Sequence, residues 1–180
     1  MNDIVTILRA ADFAARKHVN QKRKGNAGEP YVNPLVEVAK LVAESTGGRR
    51  DAVVAALLHD VVEDQNVTLD EIAKLFGAPV AALVAEVTDD KSLPKQVRKD
   101  LQVAHAAEKS PDASVIKLAD KTSNLIAIAV SPPPWPVERK RAYVQWGRAV
   151  VAGLPVKPAE LLARFEEAAR QAEESIAAQA

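Results

Sequence analysis

Residues 53–64 constrain this chain most. Val53-Val54-Ala55-Ala56-Leu57-Leu58 runs directly into His59-Asp60-Val61-Val62-Glu63-Asp64. A helix that is apolar almost all round is a buried one. Ionisable residues inside such a helix are costly unless paired or bound to metal. The spacing predicts a helix from about 50 to 63 with Asp60, Glu63 and Asp64, at i, i+3 and i+4, on one face. Three carboxylates on a face repel one another unless a cation lies between them. His59 adds a nitrogen donor beside the first. The pattern points to a divalent metal, with the outer acids left to handle water. The plainer reading, a His-Asp pair ending a core helix at the surface, is outweighed by three acids in phase behind an apolar run.

The remaining segments read as helices around this one. Ile4, Ile7, Leu8, Ala11, Ala14 and Ala15 recur at helical spacing over 3–19. A second helix over 35–45 closes at Gly47-Gly48. Thr68 and Glu71 form a capping-box pattern that starts a short helix ended by Gly77. Further helices are expected over 78–88, 94–108, from Ser110-Pro111 through Leu125, 138–153 and 158–177. No alternating stretch is long enough for a central strand. The expectation is an all-α fold of eight to ten helices, one domain over residues 1–180, and that length suffices for a sizeable core.

Charge and composition remove several function classes. Lys plus Arg number 24 and Asp plus Glu number 24, so no global field draws in nucleic acid or an anionic membrane. With no cysteine, disulfides and thiolate metal sites are impossible, which is compatible with a cytoplasmic setting. No run approaches the roughly 18 apolar residues of a membrane span. The start, Met1-Asn2-Asp3-Ile4-Val5, has no basic region followed by an apolar core. The expected partner is a small molecule; the oligomeric state is open.

Four other places carry candidate chemistry. The loop Gln21 to Asn33 holds Lys22, Arg23 and Lys24, which read either as solvated charge or as a grip on polyphosphate. Asp120 lies in the apolar segment Val115-Ile116-Lys117-Leu118-Ala119-Asp120-Lys121-Thr122-Ser123-Asn124-Leu125, where Lys117, Lys121, Asn124 or a metal would satisfy it. Arg139 and Tyr143, one helical turn apart, read from their spacing as ordinary amphipathic packing. His18, at the end of the first helix, reads as a capping or packing residue.

Several of these stretches carry a resemblance. "ALLHDVVED", "RKHVNQKRKGNAGEPYVN", "TDDKSLPK" and "KLADK" with "NL" two residues on resemble, in matching order over about residues 5–155, the HD-domain phosphohydrolases of the RelA/SpoT type, most of all the small stand-alone alarmone hydrolases. The resemblance implies hydrolysis of the 3′-pyrophosphate of guanosine tetra- or pentaphosphate (ppGpp and pppGpp), with manganese as cofactor. It implies that His59, Asp60 and Asp120 are metal ligands and that Glu63 and Asp64 handle the water. Arg23, Lys24, Asn124, Arg139 and Tyr143 would contact the nucleotide. Two positions depart from the pattern. The family carries its first metal-ligating histidine where Pro34 stands, between flanks that match without a gap, and an aromatic where Ser123 stands. The proline leaves open a protein that binds the alarmone without hydrolysing it. The same parts would also serve a phosphatase acting on the 2′-phosphate of NADPH.

Overall fold

The computed structural model describes residues 2–179; Met1 and Ala180, the ends of the expected domain, lie outside them. Ten α-helices are present among the described residues: α1 Asp3–Lys17, α2 Val32–Thr46, α3 Arg50–Leu58, α4 Val61–Asp64, α5 Leu69–Phe76, α6 Ala78–Val87, α7 Lys95–Ala104, α8 Pro111–Val130, α9 Val137–Gly153 and α10 Ala159–Ala177. A 3-10 turn, Ala106–Glu108, splits the end of the predicted 94–108 helix. The described residues contain no strand, and one isolated antiparallel bridge, Lys22 to Pro30, ties the loop after α1. No described helix is long and apolar enough to cross a membrane.

Local chemistry sets the boundaries. Asn2 caps α1, its side chain accepting from the Ile4 amide at 2.8 Å. Thr68 accepts from the Glu71 amide at 3.1 Å, half of the predicted capping box. Ser110 accepts from the Ala113 amide, with Pro111 in the first turn of α8. Gly47 closes α2 in the left-handed conformation, φ 65°. Pro34 sits in the first turn of α2, where its missing N–H costs nothing.

Two helices organise the core. α8 packs against α10, α2, α6, α9 and α3, and α3 against α2, α1 and α6. Every residue of α3 from Ala52 to Leu58 is buried, as the apolar run requires. The predicted helix over 50–63 does not continue, however. α3 ends at Leu58, His59 and Asp60 form a turn, and α4 is a separate single turn. At the core's edge, the helix stops where its side chains change from apolar to ionisable. Asp60 and Asp64 still face one cleft, but Glu63 does not share it, and each carboxylate finds a different partner.

Candidate active site

The turn at His59-Asp60 forms the floor of a cleft of about 300 Å³. His59 is buried, and its Nδ1 lies 2.7 Å from the Ala56 carbonyl oxygen. A carbonyl only accepts, so Nδ1 carries the hydrogen and Nε2 faces the cleft. That Nε2 is 3.3 Å from Asp60 Oδ2 and 3.8 Å from Asp120 Oδ1. Both carboxylates therefore lie within 4 Å of one nitrogen, although the acids are 60 positions apart in the sequence. α8, the core helix, brings Asp120 there.

Each acid also has its own donors. The Tyr31 hydroxyl donates to Asp60 Oδ2 at 2.7 Å. Lys121 Nζ donates to Asp120 Oδ2 at 2.9 Å, and Asn124 Nδ2 to Oδ1 at 2.7 Å. Lys121 is buried, and its charge also rests over the Trp146 ring at 4.3 Å. Burial works against the imidazolium of His59, but Asp60 and Asp120 outweigh it and raise its pKa to about 9. Burial likewise opposes ionisation of Asp60, and His59 and Tyr31 override it, holding the carboxyl well below its usual range. For Asp120, burial is overridden by Lys121 and His59.

Asp64 lines the cleft and Glu63 does not. Gln21 Nε2 donates to Asp64 Oδ2 at 2.8 Å, and Lys91 pairs with Oδ1. Glu63 instead accepts from the Asp89 amide at 3.3 Å and approaches Arg98 at 3.5 Å. Burial, then the nearby Asp60 charge, raises the Glu63 carboxyl.

The walls and rim come from four further segments. The loop after α1 brings Arg23 and Lys24 to the cleft. Arg23 Nη2 donates to the Ser123 carbonyl at 2.8 Å and to its Oγ at 3.0 Å, and Nη1 is 3.6 Å from Glu37. Its charge is thus partly spent on the protein's own wall. Lys24 and Arg139 gather at the mouth with Lys95, the last residue of the TDDKSLPK stretch at the start of α7, to which the resemblance assigns no contact. Burial and the charges of Arg139 and Lys24 depress the Lys95 ammonium, the mark of cations crowded together. The Arg139 guanidinium lies over the Trp135 ring at 4.3 Å. Tyr143 packs between Trp135 and Trp146, and burial pushes its hydroxyl up to about 12. Asn124, Ala127 and Ile128 of α8 face Pro34 and Val38 of α2 across the cleft. The position expected to hold a histidine is therefore on the cleft surface and presents only a pyrrolidine ring.

An HD domain family model matches residues 10–154. This chain belongs to the HD-domain family. Human guanosine-3′,5′-bis(diphosphate) 3′-pyrophosphohydrolase MESH1 is 49% identical over 156 residues, covering 85% of this chain and 87% of the relative. The Drosophila melanogaster MESH1 of the same description is 43% identical over 166 residues, covering 91% and 93%. A solved structure of a metazoan ortholog of SpoT, described as hydrolysing ppGpp and playing a role in starvation responses, matches with a TM-score of 0.88 at 42% identity, over 92% of this chain and 94% of that one.

HD-domain hydrolases are metal-dependent. One imidazole nitrogen and two carboxylates converging on a cleft floor are suitable donors for a divalent ion. Among the described residues, however, no group of three or more His, Cys, Asp and Glu side chains is arranged so that it could hold a metal ion. Here Asp60 and Asp120 turn their oxygens to Tyr31, Lys121 and Asn124, and Pro34 offers no donor.

Proposed function

We propose that this HD domain hydrolyses the 3′-pyrophosphate of guanosine tetra- and pentaphosphate, giving GDP or GTP and pyrophosphate. One observation carries the reading: a His59, Asp60 and Asp120 floor lies beneath a cationic rim of Lys24, Lys95 and Arg139 in a single cleft. The human relative of that description, 49% identical, supports the substrate. A cytoplasmic location, where such nucleotides are met, agrees with a cysteine-free chain.

His59, Asp60 and Asp120 would hold the metal, and mixed nitrogen and oxygen donors suit manganese. When bound, it polarises the phosphoryl group and acidifies a water. Asp64, on the cleft lining, orients that water and takes its proton. Glu63, tethered to the Asp89 amide and Arg98, backs the same turn from outside the cleft. The rim cations, with Arg23, neutralise the diphosphate as the bond to the ribose 3′ oxygen breaks. Asn124, Tyr143 and the apolar wall of Val38, Ala127 and Ile128 take the nucleoside.

The test is release of pyrophosphate and GDP from guanosine tetraphosphate with added manganese, alongside NADPH as a second substrate and elemental analysis of the protein. Equal amounts of GDP and pyrophosphate are expected, and loss of the 2′-phosphate of NADPH alone would overturn the substrate assignment. Pro34 favours a second reading, a protein that binds the alarmone without turning it over. Calorimetric binding with no product would establish that reading instead.

A further inference from the structure

We infer that His18 is a positioning residue that fixes both working acids of the cleft, Asp64 through Gln21 and Asp60 through Tyr31. The inference rests on the reading of Asp64 as the acid that orients water. Four hydrogen-bonding groups form one chain. Asp64 is a carboxylate and accepts, so the Gln21 atom 2.8 Å from it is the amide nitrogen. Gln21 Oε1 therefore points the other way. It accepts from Gln65 Nε2, and it lies 2.7 Å from His18 Nδ1. An amide oxygen cannot donate, so His18 Nδ1 carries the hydrogen. Gln65 Nε2 also lies 3.3 Å from that Nδ1, a longer contact than its bond to Gln21. Asp64 and Gln65 set the direction of the Gln21 amide, and the Nδ1 hydrogen of His18 is the second donor that holds its oxygen end in place.

The same ring does a second job. His18 stacks on Tyr31 with centroids 5.0 Å apart and planes 24° from parallel. Tyr31 donates to Asp60. One buried imidazole, 2% exposed, therefore supports two of the cleft's acids from beneath.

The ring's other nitrogen argues against simple packing. His18 Nε2 is buried with no hydrogen-bond partner. An orphaned buried acceptor is destabilising, and an apolar ring of similar size would remove it. The residue makes physical sense only if the Nδ1 hydrogen is needed. A role in function, at some cost in stability, accounts for both nitrogens.

The test separates the two links. His18→Phe keeps a ring for Tyr31 and loses the donor; His18→Asn keeps a donor near the Nδ1 position and loses the stack. Gln21→Met removes the middle link, and Asp64→Asn removes the acid. Expected is a fall in kcat of about tenfold or more for His18→Phe and Gln21→Met with KM nearly unchanged. The double variant should lose no more than either single one, because the two act in series. His18→Asn should regain part of the loss. His18→Phe should unfold at the same or a higher temperature than the parent, so that a fall in kcat is not a loss of the fold. The proposal is overturned if both single variants keep the parent kcat while Asp64→Asn loses it. If Asp64→Asn also keeps kcat, the reading of Asp64 falls and the positioning role falls with it. The series is run in the parent chain and in its Pro34→His variant. A crystal structure of His18→Phe gives a readout free of turnover: Asp64 leaving Gln21 supports the inference, and Asp64 unmoved overturns it.

Discussion

Tyr31 and Asp60 are joined by a 2.7 Å hydrogen bond from the hydroxyl to Oδ2, which ties the start of α2 to the turn between α3 and α4. Burial and the Asp60 charge both raise the Tyr31 hydroxyl above its usual range, so it stays a donor at every working pH. Tyr31→Phe removes a charge-assisted bond and is expected to cost about 1.5–3 kcal/mol of stability. Urea unfolding at neutral pH measures it; an unchanged midpoint would count against the bond.

Pro34 presents no donor where the family pattern has a histidine. Pro34→His is expected to raise metal affinity by about 10- to 100-fold, and hydrolysis with it. The position lies in the first turn of α2 and on the cleft, so the backbone need not move. Competition with a coloured chelator gives the affinity directly. Equal metal affinity and equal turnover in the two proteins would show that the missing ligand is unimportant.

His59 gives the metal-free protein a defined pH response. Its pKa rises from 6.5 to about 9 because Asp60 and Asp120 overcome the burial that would lower it. The folded state thus holds this proton more tightly than the unfolded state does. The resulting stability is complete below 6.5 and is lost as the pH climbs through 9. Metal must displace the same proton, so its apparent affinity should climb about tenfold per unit of pH below 9. Thermal unfolding with and without a chelator, from pH 6 to 10, checks both slopes.

Lys95 adds charge to the cleft mouth beside Lys24 and Arg139. Lys95→Ala is expected to raise KM about two- to fivefold, the range of an exposed charge contact, and to leave kcat unchanged. The effect should shrink in high salt. A fall in kcat without a change in KM would move Lys95 out of this role.

Most helices were legible from a periodic apolar face, and two of them also from a cap close by in sequence: Thr68 and Ser110 announce their own helices. Asp120 was conspicuous as an acid in an apolar run, and the cleft does bring it to His59. The break after Leu58 was not legible. An apolar run followed by acids fits one helix or two, and only the packing of the turn against Tyr31 and α8 decides. Glu63 and Asp64 part for that reason, each claimed by a partner 26 or more positions away in sequence: Asp89 and Arg98 for one, Gln21 for the other. Lys95 and Trp135 were not legible as site residues: Lys95 ends a stretch that reads as turn chemistry, and Trp135 sits among prolines. His18 does close α1 and packs on Tyr31, as its place at the end of a helix suggests; the link from Gln21 to Asp64, 43 positions on, was not legible.

Gly25 lies so close to α8 that a Cβ there would stand 2.6 Å from the Ser131 carbonyl oxygen, and the Ala27 amide is bonded to Ser131 Oγ at 3.0 Å. The cation-bearing loop is therefore buckled to the far end of the helix that carries Asp120. A nucleotide arriving at the cleft meets Arg23 and Lys24 already in place, so none of its binding free energy goes into ordering a floppy segment. Any side chain at position 25 would unbuckle the loop and convert a ready-formed grip into one that each ligand must assemble for itself.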